Sequence, residues 1–173
     1  MPDVTMQHAY RAGLPTVAPA SIQAGDVIHF RQAPLAESTA VTFSKYVGDD
    51  KPRPHLCVVK NDHYSLWTSI TSVRKDERLL IKKEWRTGGV PHWRMSSAVW
   101  LYDGSFFIVG PTHLFCMAAQ GLEMLDIGSR ARITEEGMNA VLWEVFYQQK
   151  RRPEIIDNML EAFNMKIPCP ICG

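Results

Sequence analysis

The chain has 173 residues, 46% of them hydrophobic and 21% charged, an apolar share that excludes disorder of the whole chain. No apolar run approaches the roughly 18 residues that a membrane-spanning helix needs. Nineteen Lys+Arg against eighteen Asp+Glu leave a formal charge of +1, so bulk charge declares no nucleic-acid or membrane partner, while leaving local basic patches open.

Residues 1–22, rich in Ala, Pro and Thr, show no stable period and read as a flexible N-terminal arm. The N-terminus lacks the charged-then-apolar pattern of a signal peptide, so a cytoplasmic protein is the expectation. After the turn Gly25-Asp26, the short apolar run Val27-Ile28-His29-Phe30 suits a strand. Residues 31–54 are polar and irregular, and Pro52 and Pro54 around Arg53 forbid a helix there. Long loops of this kind are usually functional. His55 to Lys60 and Ser65 to Val73 read as buried strands, and Arg78 to Lys83 as a fourth candidate. Thr87-Gly-Gly-Val-Pro91 is a turn. Asp103-Gly104 between Ser97–Tyr102 and Ser105–Val109 predicts a two-residue hairpin. Several short strands punctuated by Gly and Pro indicate a small antiparallel barrel.

The last third changes period. Thr134-Glu-Glu-Gly137 offers a capping threonine with acidic residues in the first helical turn. Met138, Val141, Leu142, Val145 and Phe146 then fall on one helical face. Pro153 ends that helix and opens another, whose stripe is Ile155, Ile156, Met159, Leu160 and Phe163. The prediction is therefore a mainly β protein with two C-terminal α-helices. Residues 23–148 form a barrel with its closing helix, and residues 149–173 form a second helix and a cysteine-bearing tail.

Taken in order, Gly25-Asp26-Val27-Ile28, the long loop, Lys51-Pro-Arg-Pro-His-Leu-Cys-Val-Val59 and Trp67-Thr-Ser-Ile-Thr-Ser72 resemble the PemK/MazF toxin family. The helix introduced by Thr134-Glu-Glu-Gly-Met138 completes a resemblance over about residues 23–147. It implies an SH3-like barrel, a homodimer, an antitoxin partner, and metal-independent cleavage of single-stranded RNA by 2′-hydroxyl attack on the adjacent phosphate. The family's arginine falls on Arg53 and its threonine on Thr71. A guanidinium suits the charge that builds on the non-bridging oxygens, and a hydroxyl beside it can hold the phosphate or relay a proton. The stretch Ser97 to Asp103 departs from the family's later strand: Ala98 stands where a glutamine is expected and Trp100 where an arginine is expected. That departure supports the alternative of a catalytically silent barrel acting as a protein- or nucleic-acid-binding or inhibitor module, from a phage or other mobile element.

Each candidate residue also has a structural reading. Arg53 serves equally as a surface arginine in a rigid turn, and Thr71 as an ordinary β-branched strand residue. His55 shares strand parity with Arg53 and Cys57; it would supply acid–base chemistry near neutral pH, or it is packed at a strand end. Arg74, Lys75, Arg78, Lys82, Lys83, Arg86 and Arg94 outnumber three acidic residues between 74 and 94, and Trp85, His92 and Trp93 are interleaved. Cations with aromatic faces are what single-stranded RNA binding uses; the other reading is a solvated hairpin over packed tryptophans. Cys169 and Cys172, in the tail Pro-Cys-Pro-Ile-Cys-Gly, have the spacing of half a structural zinc site. The other ligands would come from Cys57, Cys116, His113 or a second subunit; otherwise the tail is exposed and reduced.

Overall fold

The structure is a computed structural model that describes residues 18–46, 48, 50–119, 130–147 and 154–169. Among the described residues eight antiparallel strands form the sheet: β1 (Asp26–Phe30), β2 (Thr42–Phe43), β3 (Arg53–Lys60), β4 (Tyr64–Thr71), β5 (Arg86–Thr87), β6 (Trp100–Leu101), β7 (Ile108–Pro111) and β8 (Ala131–Ile133). Their pairing path runs β2-β7-β4-β3-β1-β8-β5 and does not close. The fold is thus mainly antiparallel β with helices, as the pattern of short runs predicts. Most of the expected N-terminal arm lies outside the described residues, but Ile22 at its boundary is 1% exposed and sits in the core.

The long strands β3 and β4 are the centre of the sheet because both carry unbroken apolar and β-branched runs, and the turn Asn61-Asp62-His63 brings them together. Asn61 fixes that turn, its side-chain oxygen accepting from the amides of His63 and Tyr64. Strand alternation then sends neighbours to opposite faces. Val27, Leu56, Leu66 and Val109 pack in one cluster, while Ile28, Cys57, Trp67 and Ile108 pack in another.

Helices cover both faces. α1 (Ala33–Ala36) and α3 (Thr112–Ala119) lie on the Trp67 side, where Leu35, Phe115 and Cys116 are buried. α4 (Glu135–Leu142) and α5 (Glu154–Ala162) cover the Leu56 side through Met138, Val141, Ile156 and Met159. Thr134 caps α4 as expected, its hydroxyl accepting from the Gly137 amide at 3.2 Å. The helix continues as a wider π turn over Trp143–Tyr147. Pro153 and the rest of the predicted helix junction lie outside the described residues.

Two strand expectations and one loop expectation are revised. Arg78 to Lys83 makes only an isolated bridge, Leu80 to Trp100, and leads into a 3₁₀ turn at Lys83–Trp85. Asp103-Gly104 turns the chain, but the strands either side of it do not pair with each other. β6 pairs with Ile70 and Thr71, and β7 pairs with Tyr64 to Trp67, successive stretches of the same β4 edge. The supposed loop 31–54 contains α1 and β2. Among the described residues no helix is long and apolar enough to cross a membrane.

Candidate functional site

The ends of β1, β3 and β4 open into a groove of about 700 Å³. Val27, Ile70, Val99 and Ala131 give it an apolar floor; Pro52, Arg53, Pro54 and Thr71 come from the strand ends; and Gly89, Val90, His92 and Trp93 line it from the segment after β5. That segment includes α2 (Pro91–Met95), a single turn started by a proline whose missing amide hydrogen costs nothing at the first helical position.

Arg53 and Thr71 both line this groove from the ends of β3 and β4, two residues beyond the terminal pair of that ladder, His55 with Ser69. On the other side Arg53 faces Phe30 and Pro54 faces His29. Two segments nearly twenty residues apart in sequence therefore deliver a cation and a hydroxyl to one opening. Arg53 is exposed and Thr71 half-buried. The Thr71 oxygen accepts from the Val73 amide at 3.2 Å, leaving its hydroxyl hydrogen as the part that can be offered to an anion.

His55 is not brought to the groove. It is 0% exposed, stacked on Phe30 with ring centroids 3.7 Å apart. Its Nδ1 lies 2.8 Å from the Arg53 carbonyl oxygen and its Nε2 2.9 Å from Gln32 Nε2. A carbonyl only accepts, so Nδ1 carries the hydrogen, and Nε2 accepts from the Gln32 amide. Burial pushes the pKa of His55 from 6.5 down to about 3, against the opposing pull of the Arg53 carbonyl. This neutral core imidazole holds the Arg53 backbone and is not accessible to a substrate.

The histidines that do line the groove are His29 and His92. His29 was legible in principle: it alternates with Val27 on β1, a polar group on a strand face otherwise apolar. His92 lies just beyond a stretch read as a plain turn.

The basic stretch divides. Trp85 is core, and Arg86 is 5% exposed, donating to the carbonyls of Trp93 at 2.6 Å and Ser96 at 2.5 Å. Arg94 donates to the carbonyls of Gly88 and Gly89. These two arginines tie α2 to the turn before it. Arg78 donates to the carbonyls of Tyr102 and Val73 and lies over the Tyr102 ring. Lys75 and Arg78 line a separate cavity of about 600 Å³ whose charges are mixed, with Asp76, Glu77, Asp103 and Glu144 also present. Lys82 sits over Trp85, and Arg74 and Lys83 are exposed. Of the nine residues proposed to bind RNA, Trp93 lines the groove. The expectation of one basic-aromatic hairpin is corrected for Trp85, whose ring is buried in the core, and for Arg86, whose guanidinium is held by backbone carbonyls.

No protein-family model, no curated protein and no solved structure matches this chain. Its chemistry is therefore read from its own side chains.

Cys57 and Cys116 are buried. Burial pushes the Cys57 thiol well above its ordinary range and the Cys116 thiol up to about 11, so both behave as packed apolar groups. Cys169 is half-buried and Cys172 lies outside the described residues. Among the described residues no group of three or more His, Cys, Asp or Glu is placed to hold a metal ion.

Proposed function

We propose that the chain is a divergent PemK/MazF-like endoribonuclease, its sheet a variant of that family's SH3-like barrel. The groove takes single-stranded RNA and cleaves it by attack of the 2′-hydroxyl on the adjacent phosphate, without a metal. The observation that carries this reading is the meeting of Arg53 and Thr71, from separate strands, in one open groove. Arg53 stabilises the charge on the non-bridging oxygens, Thr71 donates to the same phosphate, and Trp93 offers a ring face to a base. The same reading makes the working molecule a cytoplasmic homodimer controlled by an antitoxin; separately, the spacing of Cys169 and Cys172 supplies half of a structural zinc site apart from catalysis, to be completed by other ligands.

Purified protein incubated with single-stranded RNA in excess chelator is expected to yield fragments ending in a 2′,3′-cyclic phosphate. Arg53→Ala should slow this by about 10²–10³-fold, the usual effect of removing one preorganised stabiliser of developing charge. Intact RNA, or equal cleavage by Arg53→Ala, would overturn the assignment.

A second reading is favoured by one contact. Trp100, where the resemblance places an arginine, is the cross-strand partner of Thr71. A silent barrel that binds a nucleic acid or protein would keep the groove and lose this cation. Binding of RNA with no cleavage in the same experiment is its signature.

A further inference from the structure

We propose that His29 and His92 are the acid–base pair of this groove. The inference rests on the reading of the groove as an RNA-cleaving site and adds the residues that move protons there.

Attack by a 2′-hydroxyl needs a group to take its proton, and the departing 5′-oxygen needs a group to supply one. Arg53 stays protonated and cannot perform the first task. Thr71 is too weak an acid and too weak a base for either, and His55 is sealed in the core. Among the described residues that line the groove, His29, Arg53 and His92 are the ones that ionise; its wall and floor contain no Asp, Glu, Lys, Tyr or Cys. Imidazoles are the groups whose ordinary pKa suits both tasks near neutral pH.

Their placement also suits the reaction. His29 stands on β1, half-buried, paired across the sheet with Pro54, the residue after Arg53. His92 is exposed and comes from α2, which lines the same groove. In-line displacement wants the base and the acid to reach the phosphorus from different directions, and the two imidazoles come from different elements, β1 and α2. Arg53 is the charged side chain that lines the groove with them.

The step balances. One neutral imidazole takes the 2′-hydroxyl proton as the 2′-oxygen bonds to phosphorus. The bond from phosphorus to the 5′-oxygen breaks with its electron pair on that oxygen, and the other imidazole, protonated, delivers a proton to it. The products are a 2′,3′-cyclic phosphate and a free 5′-hydroxyl. The two imidazoles finish with their protonation states exchanged and are reset by exchange with water.

The test compares wild type, His29→Asn, His29→Gln and His92→Asn on two substrates: single-stranded RNA, and a nucleoside 3′-(4-nitrophenyl phosphate), whose leaving group needs no proton. Circular dichroism confirms folding, and anisotropy with a labelled RNA reports binding. For wild type the pH–rate profile on RNA is expected to be bell-shaped. Each variant should lose one limb of the bell and about 10²–10⁴-fold in rate, with binding little changed. On the activated ester, the variant lacking the acid should recover and the variant lacking the base should not. Wild type that cuts RNA while folded His29 and His92 variants cut equally well overturns this pair and leaves the ribonuclease reading standing. Wild type that binds RNA without cutting it overturns both.

Discussion

His55 shows how a residue suited to catalysis by type is taken for structure by position. Its ring is clamped between the Arg53 carbonyl and the Gln32 amide and stacked on Phe30. With the Gln32 nitrogen donating to Nε2, the Gln32 side-chain oxygen is left buried without a hydrogen-bond partner among the described residues, a cost accepted to keep the ring neutral. The consequence is a dependence on pH. In the folded chain the pKa is about 3, against 6.5 for the free ring, so below pH 6.5 the unfolded chain binds a proton that the folded chain refuses. The contribution of His55 is fully present above pH 6.5 and is lost as pH falls toward 3. At about 1.4 kcal/mol per pKa unit, the loss reaches up to about 5 kcal/mol. Urea unfolding between pH 7 and pH 4 should show stability falling on the acid side, and His55→Gln should flatten that slope. Equal slopes in the two proteins would show that the ring is not held neutral. Because the ring fixes the Arg53 carbonyl, His55 acts on the groove as a positioning residue for Arg53.

At the scale of elements, the wall that carries His92 and Trp93 depends on the turn between β5 and α2. Gly88 has a φ of +62°, and a Cβ there would lie 2.1 Å from the carbonyl oxygen of Arg130. The left-handed backbone costs a side chain about 1–2 kcal/mol, and the clash adds to it because the facing atom is backbone. Gly88→Ala should therefore cost about 2 kcal/mol or more, read as a lower thermal midpoint. On the proposed reading it should also weaken RNA binding, since the turn's carbonyls hold Arg94 and the wall behind them. A variant as stable as wild type would show that this turn does not set the wall. Other elements were readable because one local signal governed each. Thr134 with two glutamates announced α4, and the unbroken runs of β3 and β4 announced the central strands. The Asp103-Gly104 hairpin misled because the turn is real but β4 is long enough to pair both flanking strands along one edge. α3 was hidden by its composition: His113-Leu-Phe-Cys-Met117 is apolar on nearly all sides, without the polar stripe that declares a helix. The candidate site was legible at Arg53 and Thr71, where the ordered motifs fall. Alternation put His55 with Arg53, and by the same count with Cys57, a core residue; what decides between them is distance from the strand end, which periodicity does not report.

For the whole molecule, the two apolar clusters are inseparable because one set of strands builds both. Val27 and Ile28, Leu56 and Cys57, Leu66 and Trp67, and Phe107 and Ile108 are neighbours in sequence that face opposite clusters. Loosening β3 on one face therefore removes its support from the other. α5 is drawn into the same unit, with the Phe163 carbonyl accepting from Asn61 at 2.8 Å and the Phe163 ring 4.4 Å from Tyr64. Leu56→Ala should accordingly act globally. Leu56 is 0% exposed, and such truncations cost about 2–5 kcal/mol. Hydrogen exchange measured under conditions where whole-molecule unfolding dominates should then accelerate by the same factor in α4, which packs against Leu56, and in α3, which packs on the far side of the sheet. The RNA affinity proposed for the groove at the ends of these strands should fall only as the molecule unfolds, in step with that factor. Acceleration confined to α4, with α3 still protected, would mean that the two faces unfold separately and that the sheet does not couple them.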